Sequence, residues 1–159
     1  IIGGFMNEIV IREMKESDYN FIIENIIDDM NLEDFKKYLN DNSKSNSKWY
    51  YFVSTIDNKV VGIIFFSIDE TKKHIARLSK ALVFNKYQGK GIFKKMFNYI
   101  IEYIKNLSVE ILITSVRKRC ITETVYQKIG FIKYGELPRG LKNENNIYTD
   151  EVFYYYEVK

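Results

Sequence analysis

Gly89, Lys90, Gly91 and Lys94 stand together where an apolar run gives way to a long periodic segment, and residues of these types can hold an anion. Glycine has no Cβ, so a phosphate can come close to the backbone at Gly89 and Gly91. The first turn of a helix leaves N–H groups unpaired and carries the positive end of the dipole. Lys90 and Lys94 add positive charge beside it. A glycine turn before a core helix accounts for the same residues without a ligand. The loop is neither a dinucleotide fingerprint, which needs a further glycine, nor a Walker loop, which ends in Gly-Lys-Ser/Thr.

The elements that must position this loop are legible on both sides of it. Ala81-Leu82-Val83-Phe84 reads as the end of a strand. Beyond the loop, Ile92, Phe93, Met96, Phe97, Ile100, Ile101 and Ile104 recur at three- and four-residue spacing and predict one buried helical face. Lys94, Lys95, Asn98, Glu102 and Lys105 predict the solvent face. The helix runs to about Asn106.

Gln88-Gly89-Lys90-Gly91-Ile92-Phe93 resembles the Q/R-x-x-G-x-G/A signature of the GCN5-related N-acetyltransferases, the GNAT family. Gln88 and Gly91 match, and Phe93 stands where the family usually has Gly or Ala. By its spacing Phe93 belongs to the buried helical face. Tyr126-Gln127-Lys128-Ile129-Gly130-Phe131 is similar to the Y-x-K-x-G-F segment of the same family. Gly135 to Gly140 and Tyr148 to Glu151 resemble the C-terminal hairpin of its small-molecule members. The matches run from Lys59 to the end of the chain, and the first third gives no useful match.

The resemblance implies an acetyltransferase that moves an acetyl group from acetyl-CoA to a primary amine of a small molecule by direct attack. A peptide N-terminus is the next acceptor to weigh, and a non-catalytic acyl-CoA sensor is the competing class. By the same resemblance the pyrophosphate lies at Gln88, Gly89, Lys90, Gly91, Ile92, Phe93 and Lys94. Pantetheine follows the strand at Leu82 and Val83, where a backbone N–H polarises the thioester carbonyl. Tyr126 is the catalytic residue, protonating the leaving thiolate; packing of a short helix on the sheet is its alternative role. Arg119 stands seven positions before Tyr126, where the family often carries asparagine.

The residues themselves do not identify the base. The strand before the loop carries Arg77 and Lys80 but no acid, and Glu70 and Glu123 qualify by type only. Asp150 and Glu151 cap or flank a strand, or attract a cationic substrate. His74 reads as a surface residue at a strand start, and Cys120 as a small buried one. Tyr50, Tyr51, Tyr148 and Tyr154 are aromatic candidates for an acceptor pocket, but aromatics at strand spacing also build cores.

The rest of the chain supplies the frame. Asn7 to Met14 reads as a first strand. Ser17 or Asp18 is the expected cap of a helix carrying Phe21, Ile22, Ile26 and Ile27. Asn31 caps a second helix through Phe35, Tyr38 and Leu39. Trp49 to Ile56 and Lys59 to Ser67 form a hairpin about Asp57-Asn58, and Ile75 to Phe84 is the strand feeding the glycine loop. Glu110 to Val116 is a strand parallel to it. Thr122 to Lys128 is a helix closed by Gly130. Phe131 to Leu137, a loop from Pro138 to Asn146 and Tyr148 to Val158 complete the order β-α-α-β-β-β-α-β-α-β-β. The class is α+β: a mixed, mostly antiparallel sheet of about seven strands flanked by about four helices, the order that the GNAT resemblance also implies.

The bulk numbers suit that reading. The 159 residues, 46% apolar, are enough for one domain with a real core. Ile1 to Phe5 precede Met6, which reads as a native start, so residues 1–5 are set aside as an expression remnant and 6–159 as a single domain. The net charge of +3 is scattered, which argues against nucleic acid as a partner. The longest apolar run, Val60 to Phe66, is too short to cross a bilayer, and no secretory signal is recognisable. One cysteine and one histidine make neither an internal disulfide nor a metal cluster, so no metal is expected and a cytoplasmic setting fits. The oligomeric state is open, with a homodimer among the options.

Overall fold

The computed structural model describes residues 7–27 and 29–158; residues 1–5, set aside above, lie outside the described residues. Seven strands form one sheet: β1 (Ile9–Glu13), β2 (Ser47–Ile56), β3 (Lys59–Asp69), β4 (Ile75–Val83), β5 (Ile111–Arg117), β6 (Ile132–Lys142) and β7 (Tyr148–Glu157). Their order across it is β1-β2-β3-β4-β5-β7-β6. Every neighbouring pair is antiparallel except β4 and β5. The parallel pair is the expected one, since a helical crossover joins its strands. That helix is α3 (Ile92–Asn106); the others are α1 (Tyr19–Asn25), α2 (Leu32–Ser43) and α4 (Ile121–Ile129).

Two apolar clusters hold the helices to the sheet. On one face Ile92, Met96, Phe97, Ile100 and Ile104 of α3 pack against Ile64, Phe66, Leu78 and Leu112. On the other, Ile22 of α1 and Phe35 of α2 pack against Val53, Ile63 and Phe65 of β2 and β3. The spacing of the α3 residues put them on one stripe, and the stripe is buried apart from its edge residue Phe93.

Local chemistry sets most element ends. Asp57 and Asn58 have φ of 49° and 62°, the left-handed pair that a two-residue hairpin needs. Asn31 Oδ1 accepts from Asp34 N at 2.9 Å and caps α2 as expected. Gly130 closes α4 with φ 107°. Two expectations are corrected. Asp18 does not cap α1; its carboxylate takes two bonds of 2.8 Å from Arg12 and one of 2.7 Å from Lys15 N. The segment after Pro138 is strand, not loop: β6 continues to Lys142 with an irregular register between Leu137 and Leu141. An edge strand tolerates proline because its outer side needs no N–H.

Candidate active site

β4 and β5 pair only over Ile75–Arg77 and Ile111–Ile113. Beyond Arg77 the strands part, and the β5 side of β4 from Ser79 to Val83 is left without a strand partner. The last link across the opening is a side chain: Thr114 Oγ1 donates to Leu78 O at 3.2 Å. A bulge falls at the same level, since Phe65 pairs with Lys80 and Phe66 with Leu78. Bulges re-aim a strand and end its pairing. An unpaired strand edge offers N–H and C=O groups to an extended ligand.

A cleft of about 480 Å³ opens along this edge, between the end of β4, the glycine loop, the start of α3 and one face of α4. Leu82, Val83, Gln88, Gly89, Gly91, Ile92, Phe93 and Lys94 all line it; Lys90 does not. Ile121, Thr122 and Val125 of α4 form the opposite wall, which sequence reasoning had not assigned. Thr122 and Val125 stand three apart on the expected helix, but that spacing does not mark their face as a cleft wall, and Ile121 falls before the helix's expected start.

Gly91 is the N-cap of α3 with φ 77°, and Gly89 has φ 75°. Such values favour glycine strongly. A Cβ built on either would meet nothing within 4 Å, so the loop faces open space. The first α3 bond runs from Lys95 N to Gly91 O at 3.1 Å. The N–H groups of Ile92, Phe93 and Lys94 precede it and have no acceptor within the helix. No side chain caps this end, and its first turn contains no acid. Gln88 stabilises the loop from beneath: its Nε2 donates to Val83 O at 3.0 Å and Asn85 Oδ1 at 2.9 Å. Uncapped N–H groups around open space, with Lys94 at the rim, fit a diphosphate.

Phe93 is only half-buried and reaches the cleft. Its ring lies 6.2 Å from that of Tyr126, which packs in turn 4.9 Å from Phe131. Tyr126 is 4% exposed and does not line the cleft itself. Its hydroxyl lies beside Thr114, the residue bridging to β4; burial pushes its pKa up to about 12, against a smaller opposing effect of the Thr114 bond. A phenol so placed stays protonated at neutral pH. Tyr154 is likewise pushed up to about 12, by burial and by the Glu123 carboxylate that accepts its proton at 2.7 Å. Tyr154 is thus core; Tyr50 and Tyr51 are half-buried, Tyr50 stacked on Phe66 and Tyr51 edge-on to Phe65, whereas Tyr148 is exposed on the β6–β7 hairpin. His74 is exposed at the opposite end of β4 from the loop, and Cys120 is half-buried at the N-cap of α4.

The other face of the sheet behaves differently. α1 and α2 cover β2 and β3 there, and their cluster includes no residue of β5, β6 or β7. Ile113, Ser115, Glu151, Phe153 and Tyr155 point to that face and are half-buried. Tyr134 joins them, its ring 6.0 Å from Phe153 and 6.1 Å from Tyr155. Ser115 Oγ donates to Glu151 Oε1 at 2.6 Å.

A seven-stranded mixed sheet whose single parallel pair splays beside a glycine loop and an uncapped helix is the fold of an acyl-CoA N-acyltransferase. The chain belongs to the GNAT family of acetyltransferases: the model described as "Acetyltransferase (GNAT) domain" matches residues 12–140. It is therefore an acetyl-CoA-dependent acetyltransferase by class. Solved structures share its fold at low identity. The ribosomal-protein-S18-alanine N-acetyltransferase of Escherichia coli superposes with TM-score 0.75 at 15% identity, covering 96% of this chain and 95% of that one. The spermidine/spermine N-acetyltransferase SpeG of Vibrio cholerae gives 0.76 at 18%, covering 94% and 92%. The protein yncA of Salmonella typhimurium, solved with its cofactor acetyl-CoA, gives 0.74 at 15%, covering 96% and 95%. No curated protein sequence matches the chain.

Proposed function

We propose that the protein transfers an acetyl group from acetyl-CoA to a primary amine of a small molecule, by direct attack and without a covalent enzyme intermediate. The observation that carries this is the open space before Gly89 and Gly91, beside the unpaired edge of β4. The N–H groups at Gly91, Ile92, Phe93 and Lys94 would hold the diphosphate, with the Lys90 and Lys94 side chains balancing its charge. Gln88 would keep the loop in shape, and Leu82 and Val83 would pair with the pantetheine arm. Bound acetyl-CoA supplies the acetyl group as a thioester activated towards a nitrogen nucleophile.

The protein's main contribution is to hold the amine against that thioester. A C–N bond forms and the C–S bond breaks; of the two protons the ammonium gives up, one goes to solvent and one to the departing sulfur. A backbone N–H near Leu82 or Val83 would stabilise the oxygen that gains charge. Tyr126, kept protonated, would deliver the proton to sulfur. A cytoplasmic setting belongs with this reading; the one cysteine asks for no oxidising compartment. The face of β5, β7 and β6 favours one second acceptor class, a peptide N-terminus, because among the described residues the α1–α2 cluster does not extend over it.

Thiol release measured over a panel of small amines and short peptides tests both. Turnover with a small amine and little with peptides is expected; the reverse pattern selects the peptide acceptor. Silence across the panel, with acetyl-CoA still bound, leaves a cofactor sensor. Tyr126→Phe should slow turnover about 10²-fold or more, the scale of one general acid, with acetyl-CoA affinity unchanged; equal turnover removes Tyr126 from the chemistry.

A further inference from the structure

Resting on the reading above, we propose that Glu151, held by Ser115, receives the acceptor's ammonium group and takes its first proton, on the sheet face opposite α3 and α4. The carboxylates around the splayed strands leave one candidate. Glu136 is tied to Lys118 and Lys133. Asp150 takes Arg139 N at 3.0 Å and lies 3.7 Å from Lys118 Nζ. Glu123 accepts from Tyr154 and from Arg119 N, on the α4 side. Glu151 has only the Ser115 hydroxyl among the described residues. Its cross-strand neighbour Arg117 is exposed and makes no ion pair with it.

A half-buried carboxylate bonded only to a hydroxyl has acceptor capacity left, and an ammonium group can fill it with charge-assisted hydrogen bonds. The position suits that ligand. Ser115 lies two residues past Ile113, the last β5 residue paired with β4, so the Ser115–Glu151 bond sits where the strands have parted. Phe153 lies directly opposite Ser115 on the same face, and an aromatic ring beside a carboxylate is a recurrent ammonium site. The carboxylate is also fixed from β6. A Cβ at Gly140 would come within 2.7 Å of Glu151 Cβ and 3.0 Å of Oε2, so that backbone presses on the side chain because residue 140 is glycine. The lone pair of Glu151 accepts one proton; the nitrogen keeps its own pair for attack. Arg77, Lys80 and Arg117 share this face and are all positive. A second ammonium arm would meet repulsion there, so the acceptor class is a monoamine rather than a polyamine.

The test is an amide NMR titration of the full chain with n-butylammonium chloride, against sodium chloride as control. Saturable shifts are expected at Ser115, Glu151 and Phe153. Glu151→Gln should weaken them about tenfold, the loss of one charge-assisted hydrogen bond, while Glu151→Asp retains part of the affinity. Spermidine should bind no more tightly than n-butylammonium. The Glu151→Gln variant should keep the wild-type rise in melting temperature with acetyl-CoA; absence of that rise in wild type would strike the acetyltransferase reading instead. No saturable shift at these amides, equal affinity in Glu151→Gln, or tighter spermidine binding overturns the proposal. Should Glu151→Gln fail to fold, Ser115→Ala gives the same readout, with a weakening of about threefold expected and none overturning it.

Discussion

The two faces of the sheet near the β4–β5 opening are built on different terms. The α3–α4 face is closed by a long helix, aromatic packing and a loop of left-handed glycines, and it presents backbone N–H groups. The α1–α2 cluster takes in β2 and β3 and, among the described residues, none of β5, β6 or β7, so over β5 and β7 that face presents side chains: Ser115, Glu151, Phe153. Backbone recognition demands a conformation, and few residue types satisfy it. Side-chain recognition demands atoms in space, which different chains supply from different positions. That contrast is the physical reason a family can share a cofactor and differ in acceptor.

Four substitutions sharpen the contrast, in falling order of their effect on stability. Ile100→Ala empties a fully buried site on the closed face and should cost about 2–5 kcal/mol in urea unfolding; Phe153→Ala, on the half-buried open face, should cost less, and a larger loss there would break the comparison. Asp18→Asn comes next. Burial raises the Asp18 pKa, but the Arg12 bonds and the Lys15 N–H outweigh it and hold the carboxyl below its usual value. With the folded pKa depressed, this stabilisation is present above the unfolded value and disappears as pH falls through the folded one. Losing it should cost about 1.5–3 kcal/mol at neutral pH and flatten the acid limb of the stability curve; an unaltered limb would show the pair to be inert. Gly91→Val should cost the fold only about 1–2 kcal/mol for a left-handed β-branched residue. Its branch points into open space, so acetyl-CoA affinity should drop far more than stability.

Much of the closed face was legible in the sequence. The α3 stripe, the glycine loop, the Gly130 stop and the parallel β4–β5 pair all rest on local patterns that the structure keeps. What escaped depends on partners distant in the chain. Asp18 looked like a helix cap until Arg12 claimed its carboxylate. The Ser115–Glu151 bond joins residues 36 apart, and β6 runs on past Pro138 because it lies at an edge. Phe93 sits at the margin of its stripe, where periodicity does not separate core from cleft. Leu82, Val83 and the glycine loop stand out through a resemblance, whereas Glu151 falls in a stretch that resembles the family's C-terminal hairpin without marking any acceptor residue in it.

The central claim is that the open space before Gly91 takes acetyl-CoA, and thermal unfolding with and without it is the most direct test. A ligand present at a hundred times its dissociation constant stabilises the folded state by about 2.7 kcal/mol. For a chain of this size that is a rise in melting temperature of roughly 5–10 °C, lost in Gly91→Val. A wild-type protein whose melting temperature stays unchanged at saturating acetyl-CoA would contradict the account.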